Sequence, residues 1–131
     1  MENTFQLEII TPTKVITEGQ VNYVRAESFD GQFGIMAKHT NSTIALDVGE
    51  IKVVKNGKNI YYATNGGFAD IQSESVLLLL ETIERVDEID IDRAKLSLDR
   101  AKKRLNDKDM NQARSRAAIS RANNRLNISN R

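Results

Sequence analysis

Ile89-Asp90-Ile91-Asp92-Arg93-Ala94-Lys95-Leu96-Ser97-Leu98-Asp99-Arg100-Ala101-Lys102-Lys103-Arg104-Leu105 is the stretch in which the hydrophobic period of the chain changes. Ile91, Ala94, Leu98, Ala101 and Leu105 fall at spacings of three and four, which puts them on one stripe of a helix. Asp87 or Asp90 can cap the start of that helix. Glu88, Asp90 and Asp92 crowd the end where the helix dipole is positive, and Lys102, Lys103 and Arg104 suit the opposite pole. Asn106 to Asp109 breaks the pattern, and a second helix is expected from about Met110 to Leu126 with Ser115, Ala118, Ala122 and Leu126 on one face. The two helices form an antiparallel hairpin with an alanine-rich seam. Alanine favours helix but buries little apolar area, so the hairpin should hold itself and its neighbours weakly.

Upstream, the period is two. Phe5, Leu7 and Ile9 alternate with polar neighbours as in a half-buried strand, which stops at Thr11-Pro12. Asp30-Gly31 and Asn56-Gly57 are tight-turn pairs that accept positive φ, so Ile51 to Lys55 and Lys58 to Ala63 should pair as a hairpin. Gly66-Gly67 breaks the chain before Phe68 to Gln72, and the apolar run Val76 to Leu80 reads as a strand buried on both faces. Short strands with regularly spaced turns indicate an antiparallel β-sandwich. The expected architecture is therefore a β-sandwich domain over residues 1–87 followed by an α-helical hairpin over 88–131.

Composition divides the chain at the same place. The formal net charge of the 131 residues is +1, yet residues 1–87 carry 7 Lys+Arg against 12 Asp+Glu, and 88–131 carry 12 against 6. All seven aromatic residues lie in the first part. The absence of cysteine removes disulfides, thiolate metal sites and thiol nucleophiles. No apolar run approaches the roughly 20 residues that span a bilayer, and the first residues lack a basic-then-apolar signal. Membrane association is expected only through partners.

The chemistry-bearing residues are few. His39 is the single histidine, with no second imidazole or nearby Ser or Cys to support a catalytic or metal role. Gly31 to Gly34 is too short and too acidic for a phosphate loop, and no Walker A sequence occurs. The arginines carry more. Arg93 and Arg100 share a face, as do Arg121 and Arg125, and folding at Asn106–Asp109 brings Arg93 near the latter pair. The plain reading is a solvated basic face, with Glu84, Asp90 and Asp92 as surface partners worth at most about 1 kcal/mol a pair. The sharper one is a polyphosphate site, because clustered guanidiniums repel unless an anion bridges them. A nucleic-acid-binding module with a basic helical hairpin is a further alternative, weakened by the lack of aromatics there for stacking.

The order Thr11-Pro12, Asp30-Gly31-Gln32-Phe33-Gly34-Ile35 with His39 soon after, Gly66-Gly67-Phe68-Ala69-Asp70-Ile71, and Ile89-Asp90-Ile91-Asp92-Arg93-Ala94 resembles the epsilon subunits of bacterial F-type ATP synthases. The resemblance spans essentially the whole chain. It departs at Ala37-Lys38-His39, where the family usually has Pro-Gly-His, and at Gln32, where Glu is common. It implies a non-catalytic rotor subunit of a proton-translocating enzyme, present in single copy and peripheral at the cytoplasmic face of the cell membrane. By the same resemblance the sandwich docks on the gamma subunit and the c-ring, with Gln32 and His39 near those interfaces. The hairpin extends toward the alpha and beta subunits to restrain ATP hydrolysis. No cofactor is required. In some members the folded hairpin binds ATP as a regulatory ligand, and the matching residues here are Glu84, Ile89, Asp90, Arg93, Ala94, Arg100, Arg121 and Arg125.

Overall fold

The computed structural model describes residues 3–107 and 111–131. The expected breaker Asp109 and the expected helix start Met110 lie outside the described residues. Ten strands precede two helices: β1 (Phe5–Ile10), β2 (Val15–Val21), β3 (Tyr23–Ser28), β4 (Gly31–Ile35), β5 (Ser42–Leu46), β6 (Gly49–Lys55), β7 (Lys58–Thr64), β8 (Gly67–Ile71), β9 (Ser75–Leu80) and β10 (Glu84–Arg85), then a 3-10 turn over Val86–Glu88, α1 (Ile91–Leu105) and α2 (Gln112–Ile128).

The strands form two leaves. One runs β4-β3-β6-β7-β10 and the other β5-β8-β9-β1-β2, joined by the single pairing Ser28↔Leu46 between β3 and β5. Alternation decides what lies between them, since a strand sends every second side chain to the same face. Phe5, Leu7 and Ile9 are fully buried, as are Leu78 from the neighbouring strand β9 and Val24 and Val53 from the facing leaf. Pairing is antiparallel except between β1 and β9, which run parallel from Gln6↔Ser75 to Ile10↔Leu79. The gap between β2 and the opposite leaf is bridged by polar contacts. The Tyr62 phenol donates to the Glu18 carboxylate, and the Lys55 ammonium donates to the Glu18 carbonyl. Burial and the adjoining carboxylate hold the Tyr62 phenol well above its ordinary range.

The turns follow local chemistry. Asn56 (φ 53°) and Gly57 (φ 75°) form the two-residue loop between paired Lys55 and Lys58, the mirror-image geometry that matches strand twist. At the β3–β4 hairpin the loop is Phe29-Asp30, with Gly31 already paired to Ser28, so the register sits one residue before the Asp-Gly pair expected from sequence. Lys38 adopts φ 61°, a left-handed conformation that glycine takes without strain.

Strand β9 is not buried on both faces. Val76, Leu78 and Leu80 point inward, but Leu79 is 42% exposed and lies opposite Phe68, 53% exposed, on β8. Among the described residues no element covers the outer face of this leaf, so the continuous apolar run reads as core on one side and an apolar surface on the other.

The helical half begins where Asp90 Oδ1 accepts the Arg93 N–H at 3.0 Å, and α2 begins where Asn111 Oδ1 accepts the Arg114 N–H at 3.1 Å. Ala94 and Ala101 of α1 and Ser115 and Ala122 of α2 are buried along the seam, while Ile91, expected on the same stripe, is 44% exposed. The far end of α2 docks on the sandwich. Ile128, 2% exposed, clusters with Ala63 and Ile89, and Tyr61 and Val86 pack around them. Asn124 donates to the Gly49 carbonyl at 2.9 Å. Arg131 donates twice to the Glu50 carboxylate, at 2.7 and 3.1 Å, and its guanidinium sits 5.3 Å from the Tyr61 ring centre. Glu50, itself 8% exposed, also accepts from Arg25 at 2.7 Å.

Candidate functional site

A groove follows the seam between α1 and α2 and opens toward the β10 end of the sandwich. Its first chamber, about 350 Å3, is lined by Glu84 and Glu88, by Asp90, Arg93 and Ala94, and by Arg125. Glu84 is placed by pairing of β10 with β7, Asp90 by its role as helix cap, and Arg125 by the last turns of α2. Arg125 is ion-paired with Glu84. Arg93, three residues past the cap, faces the same space without an ion-pair partner among the described residues. One end of the groove thus offers carboxylate acceptors beside guanidinium donors, a mixture that suits a ligand with a donor-bearing head and an anionic tail.

Ser97 and Arg125 continue into a second chamber of about 200 Å3, where Arg100, Arg104 and Arg121 face one another across Ala101, Ala118 and Ala122. The small seam residues leave the room there. Arg104 and Arg121 then border a third chamber of about 410 Å3 with Asn111, Arg114 and Ser115.

Of the residues singled out from sequence, Glu84, Asp90, Arg93, Ala94 and Arg125 line the first chamber, and Arg100 and Arg121 line the second. Ile89 lies in neither. Its side chain is 9% exposed in the cluster with Ala63 and Ile128 that docks the hairpin. Glu88, Ser97, Arg104 and Arg114 also border the groove and were not singled out. Helical spacing carries the missing signal: Arg104 is four residues past Arg100, and Arg114 seven before Arg121.

Gln32 is exposed on β4 and donates to Glu27 Oε1 at 3.3 Å across the β3–β4 pair. His39 packs against Phe5, ring centres 5.8 Å apart. Both its ring nitrogens are buried without a hydrogen-bond partner among the described residues. Desolvation lowers its pKa from the ordinary 6.5, because burial disfavours the charged imidazolium. Among the described residues no cluster of His, Asp or Glu could hold a metal ion, and no helix is long and apolar enough to cross a membrane.

Comparison with known proteins matches both halves. Residues 4–86 fit the family described as ATP synthase, Delta/Epsilon chain, beta-sandwich domain, and residues 87–130 fit its long alpha-helix domain. The ATP synthase epsilon chain of Nitratidesulfovibrio vulgaris is 39% identical over 130 residues, covering 98% of this chain and 97% of that one. That of Desulforamulus reducens is 37% identical, covering 96% and 97%. A chain in a cryo-EM structure of the Euglena gracilis mitochondrial ATP synthase superposes with a TM-score of 0.81 at 20% identity, covering 90% of this chain and 76% of its own. At that identity the likeness concerns the fold. With both halves matched and relatives of such identity aligned end to end, the chain belongs to the epsilon chains of the ATP synthase delta/epsilon family.

Proposed function

We propose that the chain is a non-catalytic central-stalk subunit of a proton-translocating F-type ATP synthase, held in single copy at the cytoplasmic face of the membrane by its partners. In this reading the sandwich, residues 1–87, docks on gamma and the c-ring. The hairpin, residues 88–131, restrains hydrolysis when it extends toward alpha and beta, and binds ATP when folded on the sandwich. Support for the rotor role comes from the names of the relatives and from the split between an acidic sandwich and a basic hairpin.

The observation that carries the nucleotide reading is the first chamber, where Arg93 and Arg125 of the helices meet Glu84 of β10 and the cap residue Asp90 in a space walled by both the hairpin and the sandwich. Carboxylates there suit the amino and ring donors of adenine, and guanidiniums suit phosphates as bidentate donors. A ligand that binds one arrangement alone favours it by about 2.7 kcal/mol at a hundred times its Kd. A shift of that size reverses a balance between two placements that differ by less than it. High ATP then keeps the hairpin folded, and low ATP releases it to stop wasteful hydrolysis. Calorimetry with ATP tests this. Arg93→Ala and Arg125→Ala should each weaken binding more than Lys103→Ala, whose charge lies outside the groove, and equal losses for all three would leave only a general basic face.

A further inference from the structure

The nucleotide reading uses the first two chambers and leaves the third, together with Arg104 and Arg114, without a task. Those residues complete two rails. Arg93, Arg100 and Arg104 run along α1, and Arg125, Arg121 and Arg114 run antiparallel along α2. Each rail extends eleven residues, about 16 Å at the rise of an α-helix. Successive chambers share lining residues, Ser97 and Arg125 between the first and second, Arg104 and Arg121 between the second and third, so the trough is continuous.

Charge along the trough is uneven. Glu84, Glu88 and Asp90 line only the first chamber, and among the described residues no carboxylate lines the other two. Among the described residues Arg93, Arg100, Arg104, Arg114 and Arg121 have no ion-pair partner. At the third chamber the C-terminal pole of α1 meets the N-terminal pole of α2, so the helix dipoles oppose one another and the guanidiniums set the local field. Facing rows of unneutralised guanidiniums along a concave seam are stabilised by an anion that repeats along the same line.

We infer that the trough is a track for a linear phosphate chain longer than a triphosphate, with Arg104 and Arg114 gripping the distal phosphates in the third chamber. The inference deepens the nucleotide reading of the same groove and is separable from it. With a nucleoside head in the first chamber, a triphosphate fills the second. The third, about 410 Å3, takes the continuation of the chain. Such a chain comes either as free inorganic polyphosphate or attached to a nucleoside, and both present the same oxyanions to the rails.

The test is calorimetry on the full chain at fixed salt, with tripolyphosphate, a longer linear inorganic polyphosphate, ATP and adenosine 5′-tetraphosphate. The longer inorganic chain should bind roughly tenfold more tightly than tripolyphosphate, a preference equal to about one extra charge-assisted contact. Arg104→Ala with Arg114→Ala should erase that ratio whatever it does to ATP itself. Arg104→Lys with Arg114→Lys should retain part of it and shows that the fold is intact. Lys102→Ala with Lys103→Ala, on exposed positions of α1 that line no chamber, should leave the ratio unchanged. No chain-length preference in the unaltered protein, or an equal loss in the lysine-deleted variant, overturns the track. A preference of tetraphosphate over ATP supports the track with a nucleoside-linked chain, and a preference confined to the inorganic series supports it with the free chain. Failure of ATP to bind while the chain-length preference persists removes the nucleotide reading and keeps this one. ATP binding without the preference does the reverse.

Discussion

Ile128 is the aliphatic anchor by which the hairpin holds the sandwich, and Ile128→Ala is the substitution that should loosen docking without unfolding either part. The side chain is 2% exposed against Ala63 and Ile89. The sandwich core is a separate cluster that runs from Phe5 to Ile83 and includes nothing from α1 or α2. Truncating a buried isoleucine costs about 2–5 kcal/mol, and the low end applies here because the cluster is small and water can enter the seam. About 2 kcal/mol is a factor of roughly 30 in the ratio of docked to undocked hairpin. The native chain has no cysteine, so spin labels can be placed uniquely at Lys58→Cys on β7 and Ser120→Cys on α2, both exposed. Distance distributions between them should shift toward long separations in Ile128→Ala, while tyrosine near-UV dichroism of the sandwich stays unchanged. An unchanged docked fraction, or loss of the sandwich signal together with docking, would refute the reasoning.

Three further outcomes follow from named contacts. A fragment ending at Asp87 should fold and melt cooperatively as a β-protein, because the larger core closes without the helices; a fragment lacking strand dichroism would contradict this. Lys38→Gly should raise stability by about 0.5–1 kcal/mol, the relief of left-handed strain at φ 61° set against the extra unfolded-state entropy of glycine, and urea titration reads it directly. Because burial lowers the His39 pKa, the unfolded chain binds more protons below pH 6.5, so this residue costs stability as pH falls through 6.5 toward its folded value. Melting temperatures at pH 7 and 5 should converge in His39→Phe relative to the unaltered protein, and an identical pH slope in both would remove His39 as the cause.

Sequence alone determined what depends on near neighbours. The change of period at Ile89, the Asp90 cap and the Asn56-Gly57 turn are each settled within a few residues, by side-chain spacing, a carboxylate that reaches an N–H three positions on, and tolerance of positive φ. The division into strands and helical hairpin was legible for the same reason, whereas the eight candidate site residues came from the resemblance to a family, and it is folding that brings Glu84, Asp90, Arg93, Ala94 and Arg125 to one chamber. Ile89 was read as a ligand contact from its place in a motif, but its burial depends on what lies beneath it, namely Ala63 of β7 and Ile128 at the far end of α2. The parallel pairing of β1 with β9, separated by some seventy residues, has no local signal, since a strand carries the same alternation whichever direction its neighbour runs. Leu79 belongs to an apolar run whose outer side is exposed because none of the described elements covers that leaf, a property of the assembled layers rather than of the run. Arg104 and Arg114 are ordinary surface residues of two helices until the hairpin closes, and only then do the small side chains between them leave a trough that both rails face. Tertiary structure decided these matters because each depends on the distance between segments that the chain brings together only by folding.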